Sequence, residues 1–546
     1  MRPCVLLLLA ACAAGAKTMK TPADLVLVNG TVYTLDPLRP RADAVAVRDG
    51  RVAAVGTRED VTPLVGPATR VIDLGGRSVS PGLVDGHCHL YGLGKALEIL
   101  SLRGLRSAKD AAAVVAKEAA ARPAGEWIEG RGWDQNLWAP PAFPDRRVLD
   151  EVAPRHPVAL RRIDGHALWV NGAALAAAGV TRATADPPGG KIVRDERGEP
   201  TGVLVDAAMG LIDEKVPEAG PDAIRRRILR AAETAAQAGL TGVHEMGISD
   251  AVVKIYRELS AAGRLPVRVY AFLDASHVPQ LPTRRPDAGD PMAAFVLRGV
   301  KLFADGALGS RGALLLAPYS DDPGNSGLTV TSKEALTAAA RAAAQGGWQM
   351  AVHAIGDRAN RNVLDAIAAA GVRPEARFRI EHAQVVAPED FARFAALGVA
   401  ASMQPTHATS DMPWAEARVG KERIRGAYAW RTMLGVHAHV VAGSDFPVEQ
   451  VSPLLGLYAF VTRQDGDGKP EGGWMPEQKL TLDEALHAFT VEPAWAAFAE
   501  NDRGRVTAGF VADLTVYDRL LPADRRLLEV RIDMTIVGGK IVYERQ

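Results

Sequence analysis

PGLVDGHCHL, residues 81–90, closes an apolar stretch with Asp85-Gly86 and then sets His87 and His89 two positions apart. Residues two apart on a β-strand face the same way, so both imidazoles can reach one metal ion from a strand end. A helical pair would need the i, i+4 spacing instead. Alone, the pair reads equally well as two polar residues on an exposed strand. Working outward, further polar residues follow apolar strand-like runs: Lys301 in RGVKLFADG, His353 in MAVHAIGD, His382 in RIEHAQ and Asp445 in VVAGSDFPV. Imidazole and carboxylate groups gathered in this way suit zinc or a similar divalent ion.

The runs carrying these residues alternate with helical patterns. Strand WQMAVHAIG, helix NRNVLDAIAAAG, strand RFRIEHAQ, helix PEDFARFAALG and strand VAASMQPTH follow one another. Thr331 and Glu334 have capping-box spacing ahead of the helix EALTAAARAAAQ. This order predicts an α/β fold, a TIM (β/α)8 barrel over residues 80–495, with a doubly wound sheet as the competing architecture. Residues 107–202 break the rhythm and read as an insertion over the barrel mouth. Both chain ends are β-rich. LVLVNGTVYTL and AVAVRDGRVAAVG suggest hairpins at Asn29-Gly30 and Asp49-Gly50, and MTIVGGKIVYE suggests one at Gly538-Gly539. Residues 21–79 and 496–546 are therefore expected to form one small β-sandwich.

The 546 residues carry 64 Lys+Arg against 64 Asp+Glu, so no basic surplus marks a nucleic-acid binder. Three cysteines, Cys4, Cys12 and Cys88, exclude a disulfide framework, and Cys88 reads as packing between the histidines. Residues 1–20 open with MRPCVLLLLAACAAGAK, which has the make-up of a secretory signal. Leu9-Ala10-Ala11-Cys12 also fits a lipobox, which would make Cys12 a lipid anchor. A mis-chosen start or an unstructured tail competes with both. The address is accordingly periplasmic or membrane-anchored in the first case and cytoplasmic in the second.

The motifs PGLVDGHCHL, RIDGHALWVN, KLFADGALGSR, VHAIGD, RIEHAQ, MQPTH and GSDFPV resemble the amidohydrolase superfamily. Within it they are similar to the amidohydrolase-3, YtcJ-like branch, which includes N-substituted formamide deformylases. The resemblance spans nearly the whole chain after Thr21. It implies that His87, His89 and Asp445 hold one divalent cation and that His353 and His382 hold a second. Lys301 aligns with a lysine that becomes carboxylated and bridges the two; an ordinary ion pair with Asp305 or another carboxylate is its alternative. Asp445, with His382 beside it, would serve catalysis by moving a proton while metal-activated hydroxide cleaves a C–N bond of a small amide-type substrate.

Other residues are candidates for substrate contact: Arg162, His166, Trp133, Gln404 and His407. Internal pairing (Arg162–Asp164 or Asp164–His166) and plain packing compete with those roles, and for Gln404 and His407 a supporting place beside the metal ligands is equally open. His244 is the spare ligand. Two rival functions stay open, a ring-amidine deaminase of the same superfamily and a binding protein that has lost catalysis. A homodimer is a family expectation.

Overall fold

The computed structural model describes residues 21–546, so the signal and lipobox readings, Cys12 included, lie outside the described residues. Eight parallel strands stand side by side in chain order: β1 Leu83–Cys88, β2 Leu240–Ile248, β3 Arg268–Leu273, β4 Phe295–Phe303, β5 Gln349–Ala354, β6 Arg379–His382, β7 Ala400–Met403 and β8 Val440–Ala442. Helices cover the sheet from outside, as parallel strands buried on both faces require. Helix Asp250–Ala261, for example, buries Val252, Val253, Tyr256 and Leu259, a three-four spacing that makes one apolar stripe. Helix Lys333–Gly346 is capped by Ser332, whose side chain accepts from the Ala335 amide; the cap is one residue later than the Thr331–Glu334 spacing predicts.

The outer strands β1 and β8 share no ladder among the described residues, yet the cylinder is closed. The loop after β8 folds onto β1: the Asp445 amide donates to the His87 carbonyl (2.8 Å), and the His89 amide donates to the Phe446 carbonyl (2.8 Å). Asp85 accepts from the Ser444 amide (3.0 Å) and hydroxyl (2.6 Å). Burial pushes the Asp85 carboxyl up to about 6 against these bonds. Close approach is possible because residue 86 is glycine. A Cβ there would lie 2.4 Å from Val441 Cγ1 and 2.7 Å from the Ala442 carbonyl oxygen.

A second body joins the chain ends. Strands Leu25–Val28, Ala44–Arg48, Arg51–Gly56 and Arg70–Asp73 make one sheet; Thr31–Tyr33, Arg41–Ala42, Ser78–Pro81, Leu514–Tyr517, Ile532–Val537 and Lys540–Glu544 make the other. Val45, Val47 and Val79 pack there with Leu514, Val516 and Ile536 from the far end of the chain. Hairpins form at Asp49-Gly50 and Gly538-Gly539 as predicted. None forms at Asn29-Gly30, where the chain instead crosses between sheets: Leu25–Val28 pairs with Arg70–Asp73, while Thr31–Tyr33 pairs with Ser78–Pro81. Asn29 has the left-handed φ of 60° that the dipeptide favours, but pairing partners rather than turn chemistry decide the path.

A third sheet, of six strands, runs from Leu100–Ser101 to Pro200–Asp206 and stands at the C-terminal end of the barrel. Its own core holds Trp133, Trp138 and Trp169. No helix among the described residues is long and apolar enough to cross a membrane.

Gly86→Ala is expected to force the seam apart and cost about 2 kcal/mol or more, as overpacking does. Gly210→Ala, where an added Cβ meets nothing within 4 Å, should be close to neutral. Thermal unfolding of the two variants beside the parent checks this.

Candidate metal centre

The C-terminal rim of the barrel collects the predicted residues. His89, Lys301, His353, His382 and Asp445 line one cavity of about 790 Å³, and fully buried His87 lies against them. Asp445 Oδ1 stands 3.4 Å from His87 Nε2 and 3.3 Å from His89 Nε2. The His87 and His382 rings are 4.9 Å apart, and those of His353 and His382 are 4.6 Å apart. His382 (φ 74°) and Asp445 (φ 60°) both sit in the left-handed region, a strain that persists where surrounding structure fixes it.

Three of the four histidines are oriented by a partner at Nδ1. His87 Nδ1 donates to Glu381 (2.5 Å), His89 Nδ1 to the Met246 carbonyl (3.0 Å), and His382 Nδ1 to Gln404 Oε1 (2.6 Å). These bonds leave Nε2 of each ring as the free lone pair, the usual way outer groups set a ligand's tautomer. Burial, with His353 and His87 close by, holds the His382 imidazole well below its ordinary pKa and therefore neutral. Burial alone would raise the Asp445 carboxyl, but the facing rings of His87 and His89 hold it well below the usual carboxylate range.

The donor set fits a divalent cation. His87 Nε2 and Asp445 Oδ1 are both buried with no hydrogen-bond partner, and leaving such atoms unsatisfied is costly. His87, His382 and Asp445 can bring one ligand atom each within 4.8 Å of one another. His353 is less committed: its Nε2 faces the Gly306 carbonyl (3.3 Å) and Asp305 Oδ1 (3.5 Å). Lys301 is not paired with Asp305, which instead accepts the Leu314, Ile355 and Gly356 amides. The Lys301 ammonium lies 4.8 Å above the Phe303 ring, and burial pushes its pKa down to about 8 against the pull of Glu381 and Asp445.

Of the substrate candidates, His166 faces the cavity. Its Nδ1 donates to Asp206 (2.7 Å), not to Asp164, and its ring lies 4.8 Å from that of His353. The other four candidates lie outside this cavity. Trp133 is fully buried in the six-stranded sheet's core and donates to the Leu160 carbonyl (2.7 Å). Arg162 is only 2% exposed and is tied to Gln135, Asp134 and Asp164. Strand alternation is the cause: in Val158–Arg162 the cavity side carries Ala159 and Arg161, so Arg162 falls on the opposite face. Gln404 holds His382 instead of lining the main cavity. His407 also stays outside that cavity, stacked on His382 (5.8 Å) with Nε2 3.9 Å from Asp445 Oδ2. His244 is no ligand, because its Nδ1 accepts from Arg379 (2.7 Å).

Sequence reasoning missed Glu381, although the motif RIEH contains it. Arg379 donates to both Glu381 oxygens (2.8 and 3.0 Å), with both residues fully buried. Glu245 was also missed; it accepts the Leu90 and Tyr91 amides at the start of the helix that follows His89. The i, i+2 pair Arg379/Glu381 on an apolar strand was the signal available, since charges inside a barrel need a reason.

The model of the amidohydrolase family matches residues 70–543. The YtcJ protein of Bacillus subtilis (strain 168) is 37% identical over 95% of this chain and 99% of its own length. The N-substituted formamide deformylase of Arthrobacter pascens is 30% identical, covering 96% and 98% respectively. A solved structure of an uncharacterized metal-dependent hydrolase from Pyrococcus horikoshii OT3 superposes with a TM-score of 0.74 at 30% identity, over 91% of this chain and 97% of that one.

Glu381→Gln should weaken zinc binding by about 10–100-fold, the usual effect of removing a histidine's outer partner. Trp133→Phe should leave zinc affinity unchanged. Competition against a chromophoric chelator measures both.

Proposed function

This chain belongs to the amidohydrolase family, and from that premise we propose that it hydrolyses a non-peptide, amide-type C–N bond of a small molecule, such as an N-substituted formamide or an N-acyl amine. The observation that carries the reading is the pair of buried orphan atoms, His87 Nε2 and Asp445 Oδ1, at the inner end of a cavity large enough for such a substrate. His87, His89 and Asp445 would hold one cation, and His353 and His382, with Lys301 as a carbamate, a second. Burial that leaves part of the Lys301 amine neutral near pH 8 supports that modification. Divalent cations bound there would supply a Lewis acid and acidified water.

The protein's own groups do the rest. Asp445 Oδ1 faces the histidines, which leaves Oδ2 to take a proton from the attacking water. The water oxygen bonds to the carbonyl carbon, and His166, oriented by Asp206, points a ring nitrogen at the cavity where the oxyanion grows. Asp445 then gives its proton to the departing nitrogen, because an amide leaves poorly as an anion. The C–N bond breaks, releasing an amine and a carboxylic acid, which gives up its remaining proton to solvent.

One observation favours a second reading. The single compact donor group found among the described residues, His87–His382–Asp445, also suits one cation, as in a ring-amidine deaminase. Ammonia released without a new carboxylate would identify that activity.

A panel of formamides, N-acyl amino acids and hydantoins, tested with zinc-loaded protein, decides between them. Asp445→Asn should lose about 10³-fold in kcat on whichever substrate is cleaved, the scale of general acid–base catalysis. Chelation should abolish turnover and zinc restore it, with two zinc ions per chain. Equal rates in the variant and the parent would exclude the proton-carrying role.

A further inference from the structure

The wall facing the metal centre carries a cation with no ion-pair partner among the described residues. Arg131 lies in strand Ile128–Trp133 of the six-stranded sheet, in register with Arg161 on the adjacent parallel strand. Both side chains line the cavity. Like charges directly opposed on neighbouring strands repel, so such a pair needs compensation. Arg161 has it in Asp213 (2.5 Å). The other acids nearby are committed elsewhere: Glu129 to Lys95, Asp164 to Arg162, and Asp206 to His166.

Arg131 forms no ion pair among the described residues. Its Nη2 donates to the Ile163 carbonyl (2.8 Å), and its Nε is buried with no hydrogen-bond partner. Gly165 lies beside the guanidinium with φ of 83°, where a side chain would be strained, so the approach from that side stays open. Burial and the charge of Arg161 push the guanidinium down to about 10, while Asp445 and Asp164 pull it back up. Arg131 and Asp445 line the same cavity.

We propose that Arg131 is the substrate-recognition residue for a carboxylate, and that the substrate is an amide carrying an anionic group remote from the scissile bond, an N-acyl amino acid in type. A planar guanidinium with free N–H groups matches a carboxylate in shape as well as charge. This proposal rests on the hydrolase reading above, deepens it, and sets neutral N-substituted formamides aside as the preferred class.

The test uses a matched pair of probes, N-acetyl-leucine and N-acetyl-leucinamide, which differ only in the anionic group. Calorimetric binding to chelator-treated full-length protein reads recognition without turnover and without a cation to hold the carboxylate. The parent should bind the carboxylate roughly 30-fold tighter than the carboxamide, the scale of a charge-assisted contact. Arg131→Met should abolish that preference, whereas Arg131→Lys, which guards against a folding defect, should keep part of it. Equal binding of the two probes by the parent, or a preference that survives Arg131→Met, overturns the proposal. Turnover by zinc-loaded protein is read separately. If neither probe is cleaved while the preference persists and depends on Arg131, the anion site stands and the hydrolytic reading fails.

Discussion

The active end of this protein depends on one buried chain of charges, Arg379 to Glu381 to His87. A carboxylate wholly inside a barrel is costly to desolvate, and only a geometrically good partner offsets that cost. Arg379 supplies it with two parallel bonds, and it also reaches the Gly86 carbonyl (2.6 Å), the Ser402 hydroxyl (2.9 Å) and His244. With Arg379 and His87 outweighing burial, Glu381 is held well below the usual carboxylate range. The anion then fixes the proton of His87 on Nδ1 and keeps Nε2 available. Strands β1, β6 and β7 are locked together by the same guanidinium, so the fold and the ligand tautomer share a single cause.

The seam between β8 and β1 works in the same economical way. Asp85 and Ser444 close the cylinder, and the next residue along is Asp445. The backbone that seals the barrel is the backbone that presents the carboxylate. Left-handed φ values at Asp445 and His382 are tolerated because hydrogen bonds on both sides leave no alternative path.

Much of this was legible in the sequence. His87, His89, Lys301, His353, His382 and Asp445 could be read because each ends or follows an apolar strand, and strand ends on one rim must converge. The partners that orient them were harder. Gln404 was noticed, with a place beside the candidate ligands and a contact to substrate both open, because a sequence does not say which way an amide turns. Glu381 was hidden in plain view, its inward direction set by the parity of a four-residue strand. Parity also misled at Arg162, where the neighbouring Arg161 is the one facing the cavity. Asp206 lies forty positions after His166, and only the antiparallel pairing of Ala167–Val170 with Pro200–Asp206 brings them together. At Asn29-Gly30 the local turn signal was correct and the tertiary pairing overrode it.

The cavity is assembled from two stretches of chain with separate cores. The candidate cation ligands belong to the barrel, and the arginine-bearing wall belongs to a sheet that packs its own tryptophans. Rewriting that wall would leave the ligand cage intact. With the two cores separate, substitutions in one segment could change what the cavity accepts without disturbing the groups at its base.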